Sequence, residues 1–308
     1  MVTSPRLKWL GLALLSAVQF MVVLDIAIVN VALPSIKIDL DFSQANLQWV
    51  ISAYALVFGG FLLLGGRTAD LLGRRRIFIL GLVAFTIGSL LCGLAWSETS
   101  LIGARAIQGL GAAAISPAAL AILMTTFAEG RERNIALGVW GAVGGFGAAA
   151  GVLLGGVLTD ALSWEWIFFV NIPVGIVAVL LAPVLLRESR DTRVHSFDAL
   201  GAVLVTGGLS ALVLGITQGS EWGWSSGRTV GVFAAAIALL AGFVAWEKRV
   251  AEPLMTFGIF RTKTVLGANV AGFILGTALF SMFLMLTLYM QQVLGYSAMK
   301  TGIAYLAV

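Results

Sequence analysis

The chain is short of nearly everything a soluble enzyme works with. Its 308 residues include one cysteine, Cys92, and one histidine, His195, and only 11% are charged. A single thiol rules out a disulfide framework and a thiolate metal cluster. A lone histidine in the charged run 187–197 is a poor metal ligand and a poor base. Membrane acyltransferases and proteases need a buried nucleophile beside a base. Cys92 lies in an apolar run with no such partner, so the chain reads as neither an enzyme nor a holder of metal or cofactor. Soluble proteins are about one quarter charged. Here 59% of residues are hydrophobic and the mean hydropathy is +1.00, which describes an all-α polytopic membrane protein.

Apolar runs predict transmembrane helices over 9–33, 47–65, 77–95, 101–125, 135–158, 166–186, 198–216, 229–245 and 264–290. Each is long enough for a hydrocarbon layer of about 30 Å. Pro34 is expected to end the first span and Asp198 to start the seventh. Residues 301–308 open another apolar run that rises only about 12 Å. The expectation is therefore nine complete spans and a fragment of a tenth, in a truncated chain. The first run follows basic residues as a signal peptide would, but it is too long and further spans follow, so it reads as an uncleaved helix.

The net charge of +4 is explained by topology and needs no nucleic-acid partner. All but four of the 19 Lys and Arg residues fall in segments read as cytoplasmic; Lys37, Arg228 and Lys300 read as outside, and Arg105 as within a span. Positive loops stay inside, which places the N-terminus in the cytoplasm. The segment 257–260 between the eighth and ninth spans is expected to lie along the membrane surface.

The densest charge is the stretch 66–76, GRTADLLGRRR, with four arginines and one aspartate between two apolar runs. Such a stretch cannot lie in hydrocarbon and is expected to form a short aqueous turn. Gly66 and Gly73 permit close approach or left-handed backbone at its ends. Asp70 between them can pair with an arginine or face a neighbouring helix N-terminus. A pair that forms in one conformation and breaks in another is a latch; the plainer reading of the same charges is a basic stop-transfer turn that only orients the protein.

Four further features stand out. Asp25 lies in the first span, where a charge costs about 2.5 to 3.5 kcal/mol on insertion scales, so it must face a bundle interior or an aqueous cavity. Arg105 and Gln108 are buried in the fourth, where Gly103, Gly109, Gly111, Ala112 and Ala113 let another helix pass close. The fifth carries Gly147, Gly151, Gly155 and Gly156 as well as Gly138, Gly141, Gly144 and Gly145, more than one small-residue stripe requires. Asn171 and Pro173 read as a local break or cap at the start of the sixth.

Gly66, Asp70, Gly73, Arg74 and Arg75 or Arg76 resemble the signature between helices two and three of the major facilitator superfamily. LDIAIVNVALP around Asp25, LIGARAIQGLG around Arg105, the glycines 147–156, WEWIFFVNIPVG, FDALGAVL and QQVLGYSAMKTGIAYL resemble its fourteen-helix drug/proton antiporter branch. Two positions depart from that pattern: Val152 follows Gly151 where proline is usual, and Glu165 stands between Trp164 and Trp166 where arginine is usual.

The resemblance implies a major facilitator type helical bundle. Residues 1–190 would be a complete six-helix bundle, 191–263 two inserted helices with their loops, and 264–308 the start of a second bundle, truncated within it. It further implies efflux of lipophilic, cationic drugs driven by the proton gradient, with no cofactor. Asp25 and Arg105 would couple protons, Gly66, Arg67, Asp70, Gly73 and Arg74 to Arg76 would form the latch, and Gly147, Gly151, Gly155 and Gly156 would line the interface between the two bundles on helix five. Alternating access needs two bundles, so the missing helices would be required. The partners would be a small-molecule substrate, protons and membrane lipids in a bacterial inner membrane. A symporter or uniporter of the same superfamily, a channel and a nonfunctional fragment are the competing readings.

Overall fold

A computed structural model describes residues 5–190 and 198–305, and all regular structure among them is helical. Helices satisfy every backbone donor and acceptor internally, as hydrocarbon demands. The first bundle comprises α1 (Pro5–Asp39), the single turn α2 (Gln44–Leu47), α3 (Trp49–Leu72), α4 (Arg74–Gly93), α5 (Glu98–Thr126) and α6 (Arg131–Ala161), closed by α7 (Trp166–Phe169) and α8 (Asn171–Leu185). There follow α9 (Ala199–Trp222), α10 (Gly227–Glu247), a 3₁₀ turn (Phe257–Arg261), α11 (Lys263–Leu288), a π-helical turn (Tyr289–Val293) and α12 (Ala298–Tyr305). Eight described spans are long and apolar enough to cross a membrane, with α7 and α8 forming one of them. The 26-residue α11 stands where the ninth is expected.

Two boundaries differ instructively from the expected ones. Helix α1 runs through Pro34 to Asp39. Its added turn is held by tertiary contacts: Ile36 is buried, and Asp39 Oδ2 accepts from Trp164 Nε1 at 2.9 Å. Helix α3 continues to Leu72, so Gly66, Arg67 and Asp70 are helical and the aqueous turn shrinks to Gly73. Gly73 has φ +117°, a conformation that a side chain disfavours. Residues 191–197, with His195, lie outside the described residues.

Gly73 marks what we call the basic end of the bundle. Consecutive helices alternate direction, and contacts across the bundle respect that order. Arg74 N donates to Ser189 O beyond α8 at 3.0 Å. At the opposite end, Ser43 N and Asn46 Nδ2 both donate to Glu98 at 2.7 Å.

Glycines set the helix spacing. Cβ atoms at Gly147, Gly151 and Gly155 would meet the α1 backbone at Phe20 O (3.2 Å), Leu24 O (2.8 Å) and Ile28 O (2.8 Å), so α1 and α6 touch along that stripe. Gly156 is buried too. Gly138, Gly141, Gly144 and Gly145 have nothing within 4 Å of an added Cβ. Gly109 and Gly111 bring α5 against α3 and α4, whereas Gly103 faces open space and plays no such part.

The α9–α10 pair docks on α3 through Thr206 Oγ1 to Gly60 O (2.7 Å) and Gln48 Nε2 to Thr217 O (3.1 Å). Helix α12 lies against α6 at the end opposite Gly73. There Val31, Val152 and Tyr305 pack together, and Met299 N donates to Asp160 Oδ2 at 2.9 Å.

Candidate functional site

Apolar packing in the first bundle forms two clusters. One, with Leu15, Phe78, Phe85 and Ala119, fills the basic half; the other, with Ile28, Cys92, Leu101 and Phe168, fills the opposite half. Asp25, Ser89, Arg105, Gln108 and Asn171 lie between them in sequence along each helix, as a polar layer in a dry core. Asp25 is 0% and Arg105 1% exposed.

Both oxygens of Asp25 and the amide of Gln108 are hydrogen-bonded in this layer, whereas the buried Tyr54 hydroxyl beside it has no hydrogen-bond partner among the described residues. Arg105 Nη1 donates to Asp25 Oδ2 at 2.7 Å and to Gln108 Oε1, and Arg105 Nε donates to Val50 O at 2.9 Å. Asp25 Oδ1 accepts from Gln108 Nε2 at 2.7 Å and from Asn171 Nδ2 at 2.8 Å. Ser89 Oγ accepts from Gln108 Nε2 at 2.7 Å. The guanidinium lies over the Tyr54 ring, 4.4 Å from its centroid. The layer thus draws on α1, α3, α4, α5 and α8 together.

Its physical logic follows from the cost of burying charge. Each ion taken out of water costs several kcal/mol, which mutual attraction offsets only if the remaining hydrogen-bonding groups also find partners. Here the carboxylate accepts three hydrogen bonds and carries one opposite charge beside it. Burial in the bundle interior is one of the two environments expected of Asp25, and the Arg105 pairing joins the two residues singled out for proton coupling. Of the break or cap expected at Asn171, the helix break is present, between α7 and α8, but the side chain caps nothing and turns inward to Asp25. Ser89 and Tyr54 were not singled out from sequence. A serine in an apolar run was the only signal for Ser89, and it is too common to act on.

The second site is the basic end. Arg74 Nε and Nη2 reach Asp70 Oδ1 at 2.9 and 2.8 Å, so Asp70 pairs across Gly73 with the first residue of α4. Arg67 Nη2 reaches Glu252 Oε2 at 2.8 Å. Glu188 accepts from the backbone N–H groups of Arg75 (3.1 Å) and Arg76 (3.2 Å), with both guanidinium groups at 3.9 Å. Arg75 Nη1 in return donates to Pro183 O and Leu186 O, both at 3.2 Å, at the end of α8. An acid on the positive end of α4 and a base on the negative end of α8 are both favoured by the helix dipoles. Glu188 and Glu252 escaped the sequence reading because each is an acid inside a long basic segment, where nothing local shows which arginine it meets. The carboxylate of Glu188 also occupies the place a Cβ on Gly73 would take, so glycine there serves the contact as well as the turn.

Asp25 and Arg105 line no part of the cavity of about 260 Å³ at the basic end, which is bordered by Lys8, Leu12, Leu15, Thr125, Phe127 and Leu186. Among the described residues no group of three or more His, Cys, Asp or Glu side chains is placed to hold a metal ion.

Comparison with known proteins accords with this architecture. The chain is 45% identical over 303 residues to the puromycin resistance protein pur8 of Streptomyces alboniger, covering 98% of this chain and 60% of that protein. It is 44% identical to the cephamycin export protein CmcT of Amycolatopsis lactamdurans, covering 96% and 61%, and 36% identical to the tetracenomycin C resistance and export protein of Streptomyces glaucescens, covering 96% and 55%. It therefore spans roughly 55–61% of the length of these relatives. Among solved structures, the POT family transporter PepTSo shares the fold with a TM-score of 0.58 at 17% identity, over 79% of this chain and 52% of that one. The family model of the Major Facilitator Superfamily matches residues 15–308, and with that match over nearly the whole length the chain belongs to this superfamily of multi-pass, non-catalytic membrane proteins.

Proposed function

We propose that this chain forms the N-terminal bundle, inserted helix pair and first part of the second bundle of a transporter that expels lipophilic, cationic drugs in exchange for protons. The single observation that carries the reading is the buried Asp25–Arg105 pair where five helices meet. Its support is the likeness, at 36–45% identity, to proteins named for antibiotic resistance and export. The setting is a bacterial inner membrane, with the arginine-rich end and the N-terminus in the cytoplasm. The fourteen-helix branch is the form of the superfamily we infer, with α9 and α10 as the inserted pair.

In this reading Asp25 is the exchangeable acid. A cationic substrate entering the bundle competes with the proton for the same carboxylate, and competition is the coupling. Arg105 stays charged and holds Asp25 when the proton leaves. Gln108, Asn171 and Ser89 position the pair. At the basic end, Gly66, Arg67, Asp70, Gly73 and Arg74 to Arg76 form the latch, with Glu188 and Glu252 as its partners and anionic lipid headgroups as further ligands for the arginines. Gly147, Gly151 and Gly155 pack against α1 instead of lining the interface between bundles expected of them, so they set the spacing behind the face that α6 offers to the second bundle. Rocking of two bundles requires the helices that complete the relatives' length.

The complete burial of Asp25 and Arg105 favours a second reading, in which the pair only fastens the bundle. One experiment separates them. In everted vesicles carrying the chain extended to the relatives' length, a lipophilic cation should dissipate a preformed pH gradient, and Asp25→Asn should abolish proton release and weaken cation binding, because the carboxylate for which the two compete is gone. Exchange that persists in Asp25→Asn leaves the fastening role alone. Substrate movement without proton release points to a uniporter, and movement in the same direction as the proton points to a symporter.

A further inference from the structure

The basic ends of α9 and α10 hold a buried pair of acids, sharing no residue with the central layer. Asp198 precedes α9 and caps it: Oδ1 accepts from Gly201 N and from Trp246 Nε1, both at 2.8 Å. Glu247 ends α10, and its Oε2 accepts from Met255 N at 2.9 Å. The two residues are 5% and 4% exposed.

Their other oxygens are the unusual feature. Asp198 Oδ2 and Glu247 Oε1 are both buried and without a hydrogen-bond partner. Both crowd the one point where a Cβ on Gly201 would stand, so they face each other across a glycine. Among the described residues no cation forms an ion pair with either. Lys248 and Arg249, next along the chain, are exposed. On α3, which packs against α9, Arg67 is engaged by Glu252 and Asp70 by Arg74. Arg193 and His195, just before Asp198, lie outside the described residues.

Two ionised carboxylates cannot face one another in a dry site without compensation, and such pairs hold one proton between them. A protonated carboxyl donates where a carboxylate only accepts. One proton would therefore satisfy both orphaned oxygens at once. We propose that Asp198 and Glu247 share a bound proton, forming a titratable site that fastens the basic end of α10 to α9.

This site is wired to the latch. Glu247 holds Met255, three residues from the Glu252 that grips Arg67. Loss of the proton sets two negative charges face to face, drives Glu247 away and frees the segment that carries Glu252. The sign is fixed by linkage: the folded chain binds a proton that the unfolded chain does not, so the fastening is present at low pH and is lost as pH rises through the titration of the pair.

The test uses the full chain in lipid nanodiscs free of sodium and potassium. Infrared difference spectra across a pH titration should show a protonated-carboxyl band that disappears in both Asp198→Asn and Glu247→Gln. Hydrogen exchange should show loss of Met255 amide protection, beyond the intrinsic pH dependence, as the wild-type band titrates away. Glu247→Gln keeps a donor toward Asp198 and an acceptor for Met255, so its protection should not vary with pH. A band unchanged by both substitutions, or Met255 protection in the wild type that does not follow pH, overturns the proposal. Protection that follows sodium concentration instead of pH overturns it in favour of a bound cation. The wild-type exchange measurement needs no variant and decides the matter even if one substitution prevents insertion.

Discussion

The central layer and the basic end contain ion pairs of nearly the same length, 2.7 Å for Arg105–Asp25 and 2.8 Å for both Arg74–Asp70 and Arg67–Glu252. Their surroundings differ. The central partners are 1% and 0% exposed, whereas Arg74 and Asp70 are 13% and 33% exposed. In the dry layer, losing one partner strands a charge; at the basic end, water and lipid headgroups replace it. The same contact is therefore costlier to break at the centre than at the basic end, a difference in the direction that the proposed coupling and latch roles need.

The comparison can be broken most severely at Arg105. Replacing it with alanine leaves Asp25 charged, buried and short of a partner, a class of change that costs about 3–5 kcal/mol. Chemical unfolding of the chain in detergent should show that loss, and Arg105→Lys should recover only part of it, since Nε–H to Val50 O and the flat contact with Tyr54 are gone. A loss no larger than that of a basic-end variant would erase the distinction.

Next in size is the stripe on α6. Gly151→Val puts bulk where a Cβ alone already meets Leu24 O and Ala27 Cβ at 2.8 Å, and overpacking of this kind costs roughly 1–3 kcal/mol. Gly141→Ala, with nothing within 4 Å, should stay within about 0.5 kcal/mol of the parent. Melting temperatures of the two variants side by side would show whether the glycines of α6 are one functional set or two.

At the basic end, Glu188→Ala removes the acceptor for two N–H groups at the start of α4. Loss of a helix cap costs about 0.5–2 kcal/mol, and faster exchange of the Arg75 and Arg76 amides should report it locally. The smallest effect belongs to Glu252→Gln. Arg67 and Glu252 are 14% and 27% exposed; an ion pair still reached by solvent is worth about 0–1 kcal/mol, so stability should barely move, and any change should fade as salt is raised. A large, salt-independent loss there would make the latch as rigid as the centre.

Much of the architecture could be read directly from the residues. Apolar runs of sufficient length located each described span, because hydrocarbon allows a lone crossing segment few conformations. Element ends were less legible. Pro34 reads as a stop, yet α1 continues because Ile36 and Asp39 find partners elsewhere, and no local rule anticipates that. Asp25 and Arg105 stood out because charge inside an apolar run is rare. Ser89 did not, since polar uncharged residues in spans are ordinary, and Asn171 stood out only as a local break or cap; only their convergence makes them a set.

Sequence by itself therefore determined the membrane character, the helical spans and the residues too polar to face lipid. These depend on composition over distances of one helix or less. Tertiary structure alone decided which charges meet: that Asp25 is shared among Arg105, Gln108 and Asn171, that Glu188 joins α4 to α8, that Glu252 reaches Arg67, and that Asp198 confronts Glu247 across Gly201. Each of those partners lies far along the chain, 80 residues for Arg105 and Asp25 and 185 for Arg67 and Glu252, unlike the local Asp70–Arg74 pair. Burial strengthens such contacts only after packing has excluded water, and that exclusion is a property of the assembled bundle rather than of any stretch of chain.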